Sequence, residues 1–196
     1  DSVASRGLGD VYKRQAIKGA QAVAASIFIA LHWTGEIDEL KVHIRDFVTN
    51  QFEYNMNRTL NEIRPRYEFD VSCQGSVPEA IIAFLEADSY EDAIRNAVSL
   101  GGDADTQGAI AGAIAACVYP IPEYIIKECQ KRLSDDLLKV VIRFEDYLDN
   151  EWQNKISLPC SCLQPKRETV EPEKYVDIIR DNICLLYTSP SPRDAT

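Results

Sequence analysis

Apolar residues recur at intervals of three and four along most of the chain, which is the period of an amphipathic α-helix. The pattern predicts a first helix over Ile17 to Trp33 and a second over Ile37 to Phe47. Later segments with the same period cover residues 76–87, 89–100, 106–118, 122–133, 135–148 and 172–183. Because most of these segments are joined by short connections, the sequence predicts an all-α fold, a compact multi-helix domain.

Local signals mark several helix ends. Ser76 and Glu79 have the spacing of a capping box, so a helix is predicted to begin at Ser76. Ser89 is predicted to begin the next helix, and the two glycines at 101–102 to end it. The stretch RPRYEFDV at 64–71 alternates over a short distance only, which permits a small strand or an extended loop.

The two ends of the chain differ from the rest. Residues 1–15 and 184–196 show no sustained helical or strand period, and both resemble translated sequencing-adapter sequence found at the ends of metagenomic reading frames. We therefore expect them to be non-native and exclude them from the interpretation of the fold. On this reading the natural segment, residues 16–183, is a fragment cut at both ends, and its single domain is truncated at the N-terminus.

Composition limits the partners of the protein. A chain of 196 residues with 45% hydrophobic residues is long enough for one substantial core. Its formal net charge of -10 would repel nucleic acid and anionic membranes, so neither is expected as a partner. The longest apolar run, from Ala22 to Leu31, is shorter than the roughly 20 residues that span a bilayer, and is expected to be a buried helix.

The cysteines favour a reducing compartment. The chain has no recognisable signal peptide, and its thiols are too sparse for a disulfide scaffold, so a cytoplasmic location is expected. The pair Cys160 and Cys162 lacks a second Cys or His pair at zinc-finger spacing, which favours two loop thiols over a zinc site. The six cysteines are Cys73, Cys117, Cys129, Cys160, Cys162 and Cys184.

The stretch SLGGDADTQGAIAG, residues 99–112, carries the candidate chemistry. Asp103, Asp105 and Thr106 offer two carboxylates and a hydroxyl, which are hard oxygen ligands that suit Mg²⁺, Mn²⁺ or Ca²⁺. An EF-hand loop starting at Asp103 fails because Ile114 stands where the bidentate Glu is needed. A phosphate-binding loop fails because no Lys-Ser or Lys-Thr follows Gly108. Neither common motif explains the stretch.

Two interpretations of these carboxylates remain open at this point. In the first, Asp103 or Asp105 simply caps the helix that follows the two glycines. A cap needs one carboxylate, however, and a second adds repulsion unless a cation or a proton relieves it. In the other, carboxylates hold a metal ion while Gly101, Gly102 and the helix N-terminus face a diphosphate.

The helix after these carboxylates is built from small residues. Its sequence GAIAGAIAA, from Gly108 to Ala116, predicts an unusually close approach by a neighbouring helix. Close packing would hold the candidate ligands rigidly. The Gly108 to Gly112 spacing is that of a GxxxG motif, but a charged, polar chain gives it no membrane meaning.

Three stretches resemble the ADP-ribosylglycohydrolase family. They are IKGAQAVAASIFIA (17–30), DVSCQGSVPEAIIAFLEADSYEDAI (70–94) and NAVSLGGDADTQGAIAGAIAACVYPIP (96–122). The likeness is to bacterial members, including the dinitrogenase reductase-activating glycohydrolase. It covers nearly all of residues 16–133.

This resemblance implies an all-helical hydrolase with two Mg²⁺ or Mn²⁺ ions. Such an enzyme cleaves the glycosidic bond between ADP-ribose and an arginine, a serine or another acceptor, on an ADP-ribosylated protein or a small conjugate. Asp103, Asp105 and Thr106 match the C-terminal metal ligands of the family, and the two aspartates are the expected catalytic residues. Substrate contacts are expected from Gly101, Gly102 and Ser76, and Cys73 lies in the same loop as Ser76.

The chain also departs from the family pattern. The family takes its other metal ligands from an upstream Thr-Asp-Asp motif, which is absent here, and VYKRQA stands where a His-Pro-Glu-Gly segment normally precedes IKGA. At most half of the metal site is therefore expected, and the chain as written is expected to be inactive. His32 and His43 match no family ligand and are interpreted as packing or surface residues.

Two alternatives to an enzyme remain. One is a non-catalytic relative of the same fold, as the jellyfish lens crystallins that resemble this family are. The other is a helical interaction domain in which GGDADT arose by chance, which the long flanking resemblance disfavours. The oligomeric state is not predicted.

Overall fold

The computed structural model describes residues 2–147, with side chains from residue 13 onward. Within that range every regular element is a helix, and no strand is present. The chain divides into two compact units, one that includes the residues up to Tyr119 and one that begins at Pro120. The predicted all-α fold is confirmed for the described residues. The predicted helix at 172–183 and the loop with Cys160 and Cys162 lie outside them.

The first unit contains six helices within its described part. They are α1 (Ser2–His32), α2 (Ile37–Phe52), α3 (Leu60–Ile63), α4 (Cys73–Leu85), α5 (Tyr90–Val98) and α6 (Ala104–Ala115). The second unit contributes α7 (Glu123–Arg132) and α8 (Asp135–Tyr147) to the described chain. The predicted positions of α2, α5, α6, α7 and α8 are confirmed to within a few residues at most ends.

Helix α4 forms the centre of the first unit. All ten residues from Ser76 to Leu85 are buried, so the helix has no solvent-facing side over that length. It contacts α1, α3, α5 and α6. A helix that is apolar all round is stable only when neighbours cover every face, and these four helices provide that cover. The position of α4 in the first unit is therefore set by its contacts with these four helices.

The predicted start of α4 at Ser76 is wrong. The helix begins three residues earlier, and its N-cap is Ser72, whose Oγ accepts a hydrogen bond from Gly75 N at 3.1 Å. Ser76 lies inside the helix, where its Oγ donates to Ser72 O at 2.7 Å. Glu79 does not reach back to a cap, because its carboxylate is paired with Arg58 instead.

Other boundaries also differ from the predictions. Helix α1 begins at Ser2 rather than at Ile17, and α2 continues to Phe52. The short helix α3 was not predicted; it begins with a capping box between Thr59 and Glu62. Residues 64–71 form a turn followed by an extended loop, so of the two alternatives for this stretch the strand is excluded.

Helices α5 and α6 pack closely, as the small residues of α6 predict. Ser89 is the N-cap of α5, and its Oγ accepts from Asp92 N at 3.1 Å, which confirms the predicted helix start. A Cβ atom built on Gly112 would lie 2.7 Å from Ile94 Cδ1. At Gly108 the nearest atom outside its own helix would be 4.0 Å away. Of these two glycines, Gly112 is therefore the one at which α5 approaches α6 closely.

The second unit has a different character in its described part. Neither α7 nor α8 buries any residue. Ion pairs along α7 join Lys127 to Glu123 at 2.7 Å and Arg132 to Glu128 at 2.7 Å. Such pairs on an exposed helix stabilise it by a few tenths of a kcal/mol each. Across the described residues of both units, none of the helices has the length and apolar character needed to span a membrane.

Candidate functional site

The turn between α5 and α6 places the candidate ligands. Gly101 has a φ of 76°, which lies in the left-handed region that L-residues rarely adopt and that glycine, which has no Cβ, adopts readily. Gly102 is needed for space, because a Cβ atom there would collide with Cε1 of Tyr67. The first glycine thus reverses the chain direction, and the second lets the backbone lie against an aromatic ring. Together they deliver Asp103 to the start of α6.

The structure brings Asp103, Asp105 and Thr106 together. The side chain of Asp103 lies close enough to the side chains of Asp105 and Thr106 for both to shift its pKa. Oδ1 of Asp105 also accepts from the backbone N of Thr106 at 2.9 Å. Asp105 and Thr106 are exposed, and Asp103 is partly so. The three oxygen-bearing side chains therefore form one accessible group at the first turn of α6.

The contact between the two carboxyl groups shifts their titration in opposite directions. The hydrogen bond to Asp105 raises the pKa of Asp103, and the same bond lowers the pKa of Asp105. Two carboxylates this close repel each other when both are ionised, and a cation between them would relieve that repulsion.

The interpretation of these aspartates as helix caps is not supported. Asp103 occupies the N-cap position of α6, but its side chain makes no capping hydrogen bond. Asp105 lies inside the first helical turn. The second carboxylate is consequently left available for a ligand, and its negative charge is favourable near the positive end of the helix.

The oxygen ligands of the α6 turn are of the type that a hard divalent cation prefers, but they are too few to complete its coordination. Two carboxylates and a hydroxyl suit Mg²⁺ or Mn²⁺, which each take about six oxygen ligands in an octahedral site. Among residues 13–147, whose side chains the structure describes, no group of three or more His, Cys, Asp or Glu side chains is placed to hold a metal ion. The α6 turn thus supplies only part of a coordination sphere.

A hydrogen-bonded network behind the turn joins α6 to α4. Gln107 is fully buried, and its Nε2 donates to the hydroxyl of Tyr67 at 2.7 Å. That hydroxyl in turn donates to Gly75 O at 2.6 Å, in the first turn of α4. Burial is the main cause that raises the pKa of Tyr67 to about 12, so the phenol stays protonated and keeps both bonds at any ordinary pH. The network fixes the two helix starts relative to each other.

The predicted substrate contacts differ in their surroundings. Gly101 is exposed and no atom lies within 4 Å of the position of its Cβ, which leaves its backbone open to a ligand. Ser76 is only 4% exposed, and its hydroxyl bonds within its own helix. Cys73 is a partly buried free thiol where α1 comes close, since a Cβ on Gly19 would lie 2.8 Å from that of Cys73. Gly101 is the most accessible member of the predicted set.

An ion pair that the sequence analysis did not predict lies beside this network. Nη1 of Arg58 is 2.6 Å from Oε1 of Glu79, whose side chain is 6% exposed. Burial raises the pKa of Glu79, and the bond and charge of Arg58 oppose that shift. A signal was present in the sequence, because Glu79 is the one charged residue in the otherwise apolar run VPEAIIAFL. Its partner was harder to find, since Arg58 lies in a polar connection.

The two histidines pack against aromatic rings, as expected. His32 stacks on Phe28, with 4.2 Å between the ring centroids, and its Nδ1 lies 2.9 Å from Phe28 O. The ring of His43 lies 5.2 Å from that of Trp33. These contacts account for both side chains as packing residues.

The fold and the α6 turn define the class of protein. It is an all-helical protein with clustered oxygen donors at the start of one helix. The family model for ADP-ribosylglycohydrolase matches residues 11–155. The chain therefore belongs to the ADP-ribosylglycohydrolase family. Comparisons with curated proteins and with solved structures give no match.

Proposed function

We propose that this chain is part of a metal-dependent hydrolase that cleaves the glycosidic bond between ADP-ribose and an acceptor. The acceptor is an arginine, a serine or a small conjugate. The observation that carries the proposal is the mutual contact of Asp103, Asp105 and Thr106 at the start of α6. Membership of the ADP-ribosylglycohydrolase family supplies the reaction class.

In this proposal the three side chains hold one face of a pair of Mg²⁺ or Mn²⁺ ions. Bound ions would polarise the ribose oxygens and lower the pKa of a water molecule. Asp103 and Asp105 would supply the carboxylate ligands, and a bound cation would favour the ionised form of both. Gly101 and Gly102 leave backbone for the substrate to approach, and Ser76 is retained as a weaker contact candidate.

Rigidity of the turn is part of the proposed mechanism. The buried Gln107 and the hydroxyl of Tyr67 hold the first turn of α6 against α4. Ligands that are already in place lose little conformational freedom when a cation binds. The chain's own residues thus orient the donors, and the remaining ligands belong to the Thr-Asp-Asp motif that this sequence lacks. We therefore propose that the chain as written is an inactive, N-terminally truncated fragment of a cytoplasmic enzyme.

A non-catalytic relative of the same fold is the second candidate. It is favoured by the incomplete donor set, because the side chains described between residues 13 and 147 form no cluster of three metal-binding acidic, Cys or His residues. The clustered carboxyl groups favour the enzyme, since a purely structural protein gains nothing from their repulsion. A longer protein that includes the upstream motif would distinguish the enzyme from the non-catalytic relative, because only the enzyme would release ADP-ribose.

The test compares this chain with a parent protein that carries the upstream Thr-Asp-Asp motif. We expect the chain alone to release no ADP-ribose from arginine-linked or serine-linked peptides in the presence of Mn²⁺, and the parent to release it. Asp105→Asn in the parent should lower the rate about 100-fold or more, since even outer partners of metal ligands contribute factors of 10 to 100.

Asp46→Asn is the matched control, because Asp46 is an exposed carboxylate on α2 outside the α6 turn. It should leave the rate and the Mn²⁺ affinity of the parent unchanged. Equal Mn²⁺ binding by the parent and its Asp105→Asn variant would contradict the ligand assignment. A parent that binds Mn²⁺ but releases no ADP-ribose from any such substrate would favour the non-catalytic relative.

A further inference from the structure

The segment that follows α3 contacts the α5–α6 turn at two points. Backbone hydrogen bonds from Arg64 N to Leu60 O at 2.9 Å and from Tyr67 N to Ile63 O at 3.0 Å continue the helical winding of α3 as far as Tyr67. Residues three apart in a helical turn lie on the same side of it. The side chains of Arg64 and Tyr67 therefore reach the α5–α6 turn together, one at each end of it.

Arg64 holds the end of α5. Its Nε donates to Ser99 Oγ at 3.0 Å, and its Nη2 lies 3.5 Å from Asn96 Oδ1. On the α3 side, its Nη1 donates to Asn61 Oδ1 at 3.0 Å. A cation is favourable in this position, because the last carbonyl groups of a helix carry partial negative charge. Arg64 thus joins α3 to the C-terminal end of α5.

Ser99 connects Arg64 to the backbone of the turn. It is the C-cap of α5, and its hydroxyl donates to Asn96 O at 2.8 Å while it accepts from Arg64. A hydroxyl that donates and accepts at the same time is held in one orientation. The next residue, Leu100, is 4% exposed and belongs to the core. The chain is therefore held at Ser99 and Leu100, immediately before it turns at Gly101.

The turn itself has few supports before Asp103. Gly101 has no atom within 4 Å of the position of its Cβ, so packing does not restrain it on that side. Gly102 lies against the ring of Tyr67. Asp103 follows directly, and its side chain makes no capping hydrogen bond. The position of Asp103 therefore depends on the contacts at Ser99 and Gly102, on either side of the left-handed glycine.

We propose that Arg64 is a positioning residue for the metal donors of the α6 turn, and that it acts through Ser99. The inference rests on the proposed role of Asp103, Asp105 and Thr106 as metal ligands. Arg64 sets where the chain leaves α5, and the three donors follow that point. Without Arg64 the turn would sample more conformations, and a cation would have to order the donors when it binds. Loss of Arg64 should therefore weaken metal binding.

The test follows the ¹⁵N-labelled chain by NMR while Mn²⁺ is added. The paramagnetic ion broadens the amide signals of residues near which it binds, so a weak partial site can be measured at Gly102 and Thr106. We expect Arg64→Met to raise the Mn²⁺ concentration that halves these signals about tenfold, since residues that orient metal ligands contribute factors of about 10 to 100. Ser99→Ala should act in the same direction. Adding it to Arg64→Met should change little further, because the two side chains act as one unit.

Two controls separate positioning from charge and from stability. Arg66→Met removes an exposed arginine of the same segment, with the same change in net charge. Arg58→Met removes the partner of the buried Glu79 and should destabilise the first unit. Neither should alter the response of the α6 turn to Mn²⁺. An unchanged response in Arg64→Met, or an equal loss in either control, would overturn the proposal.

A metal-free measurement keeps this inference distinct from the proposed ligands. Gly101 N donates to Val98 O at 3.2 Å, so the exchange of its amide hydrogen reports whether the turn stays closed. We expect loss of protection at Gly101 in Arg64→Met and none in Arg66→Met. A wild-type turn that does not respond to Mn²⁺ at all would contradict the proposed ligands. Gly101 exchange then decides on Arg64 alone, and unchanged protection in Arg64→Met would overturn its positioning role.

Discussion

Glu79 is a charged side chain placed in the centre of the first unit. It is 4% exposed, and Oε2 has no hydrogen-bond partner among the described residues, while Oε1 is held by Arg58. Two other buried polar atoms also lack a partner there, Oε1 of Gln107 and the hydroxyl of Tyr54. Burial raises the pKa of Tyr54 to about 12, with smaller contributions from Cys73 and Glu79. The ionised state of Glu79 therefore depends mainly on one guanidinium group.

Removal of that group should destabilise the protein in a pH-dependent way. We expect Arg58→Met to lower the free energy of unfolding at pH 7 by about 2–3 kcal/mol, because a buried carboxylate loses its charged partner. The pKa of Glu79 is already raised in the folded state and rises further without Arg58. A raised pKa in the folded state means that folding favours the protonated form of Glu79. The loss in the free energy of unfolding should therefore shrink as the pH falls toward the pKa that Glu79 has in the unfolded chain. Urea denaturation at pH 7 and pH 4.5 measures both quantities.

Arg66→Met provides the control for this experiment. Arg66 is exposed and has no described ionic partner, so its replacement should change the free energy of unfolding by less than about 0.5 kcal/mol at either pH. A loss in Arg58→Met that stays constant between the two pH values would contradict the role given to the ion pair.

Groups of residues that are neighbours along the chain were easier to predict from the sequence than the ion pair between Glu79 and Arg58. Asp103, Asp105 and Thr106 are neighbours along the chain, so a helix start suffices to bring their oxygens together, and their grouping was predictable. Their role as metal ligands stays a prediction. Glu79 and Arg58 are 21 residues apart, and no periodicity specifies that a surface arginine reaches a core carboxylate.

At the scale of the helices, the sequence predicted most elements and misplaced some ends. Ser89 was correctly recognised because one serine stands before a clear periodic run. At α4 two serines compete, and Ser72 caps the helix while Ser76 lies inside it. Helix α3 has four residues, too few for a helical period to be visible. Boundaries thus fail where capping signals are duplicated or the element is short.

Contact between α5 and α6 gives a prediction at this scale. We expect Gly112→Leu to lower the free energy of unfolding by about 1–3 kcal/mol, because the added atoms overpack the contact with Ile94. Gly112→Ala should be close to neutral: the end of the Ile94 side chain can move, and alanine favours a helix by about 1 kcal/mol over glycine. Thermal denaturation followed by circular dichroism measures the change.

Ala109→Leu is the matched substitution on the exposed face of α6. It should change the free energy of unfolding by less than about 0.5 kcal/mol. A leucine that is tolerated equally at positions 109 and 112 would show that α5 does not approach α6 as closely as the structure indicates.

At the scale of the whole molecule, the family region extends into both units. The match covers residues 11–155, and the chain divides between Tyr119 and Pro120. The candidate ligands and the buried ion pair both lie on the N-terminal side of that division. The candidate chemistry of the described chain is therefore concentrated in its first unit.

Net charge gives the prediction for the whole molecule. With a formal charge of -10, the chain should not shift duplex DNA in a native gel, nor cosediment with phosphatidylserine vesicles, at low salt. A basic DNA-binding domain of similar length is the positive control in the gel, and the vesicles are tested with a polybasic peptide. Retention by either polyanion would contradict the expectation that the overall negative charge excludes these partners.

The left-handed turn at Gly101 has a consequence for the handedness of the residue there. No atom lies within 4 Å of the position of its Cβ, so the positive φ angle rather than crowding disfavours L-residues at this position. A D-alanine introduced by chemical ligation should therefore be accommodated and should stiffen the unfolded chain, whereas L-alanine should strain the fold.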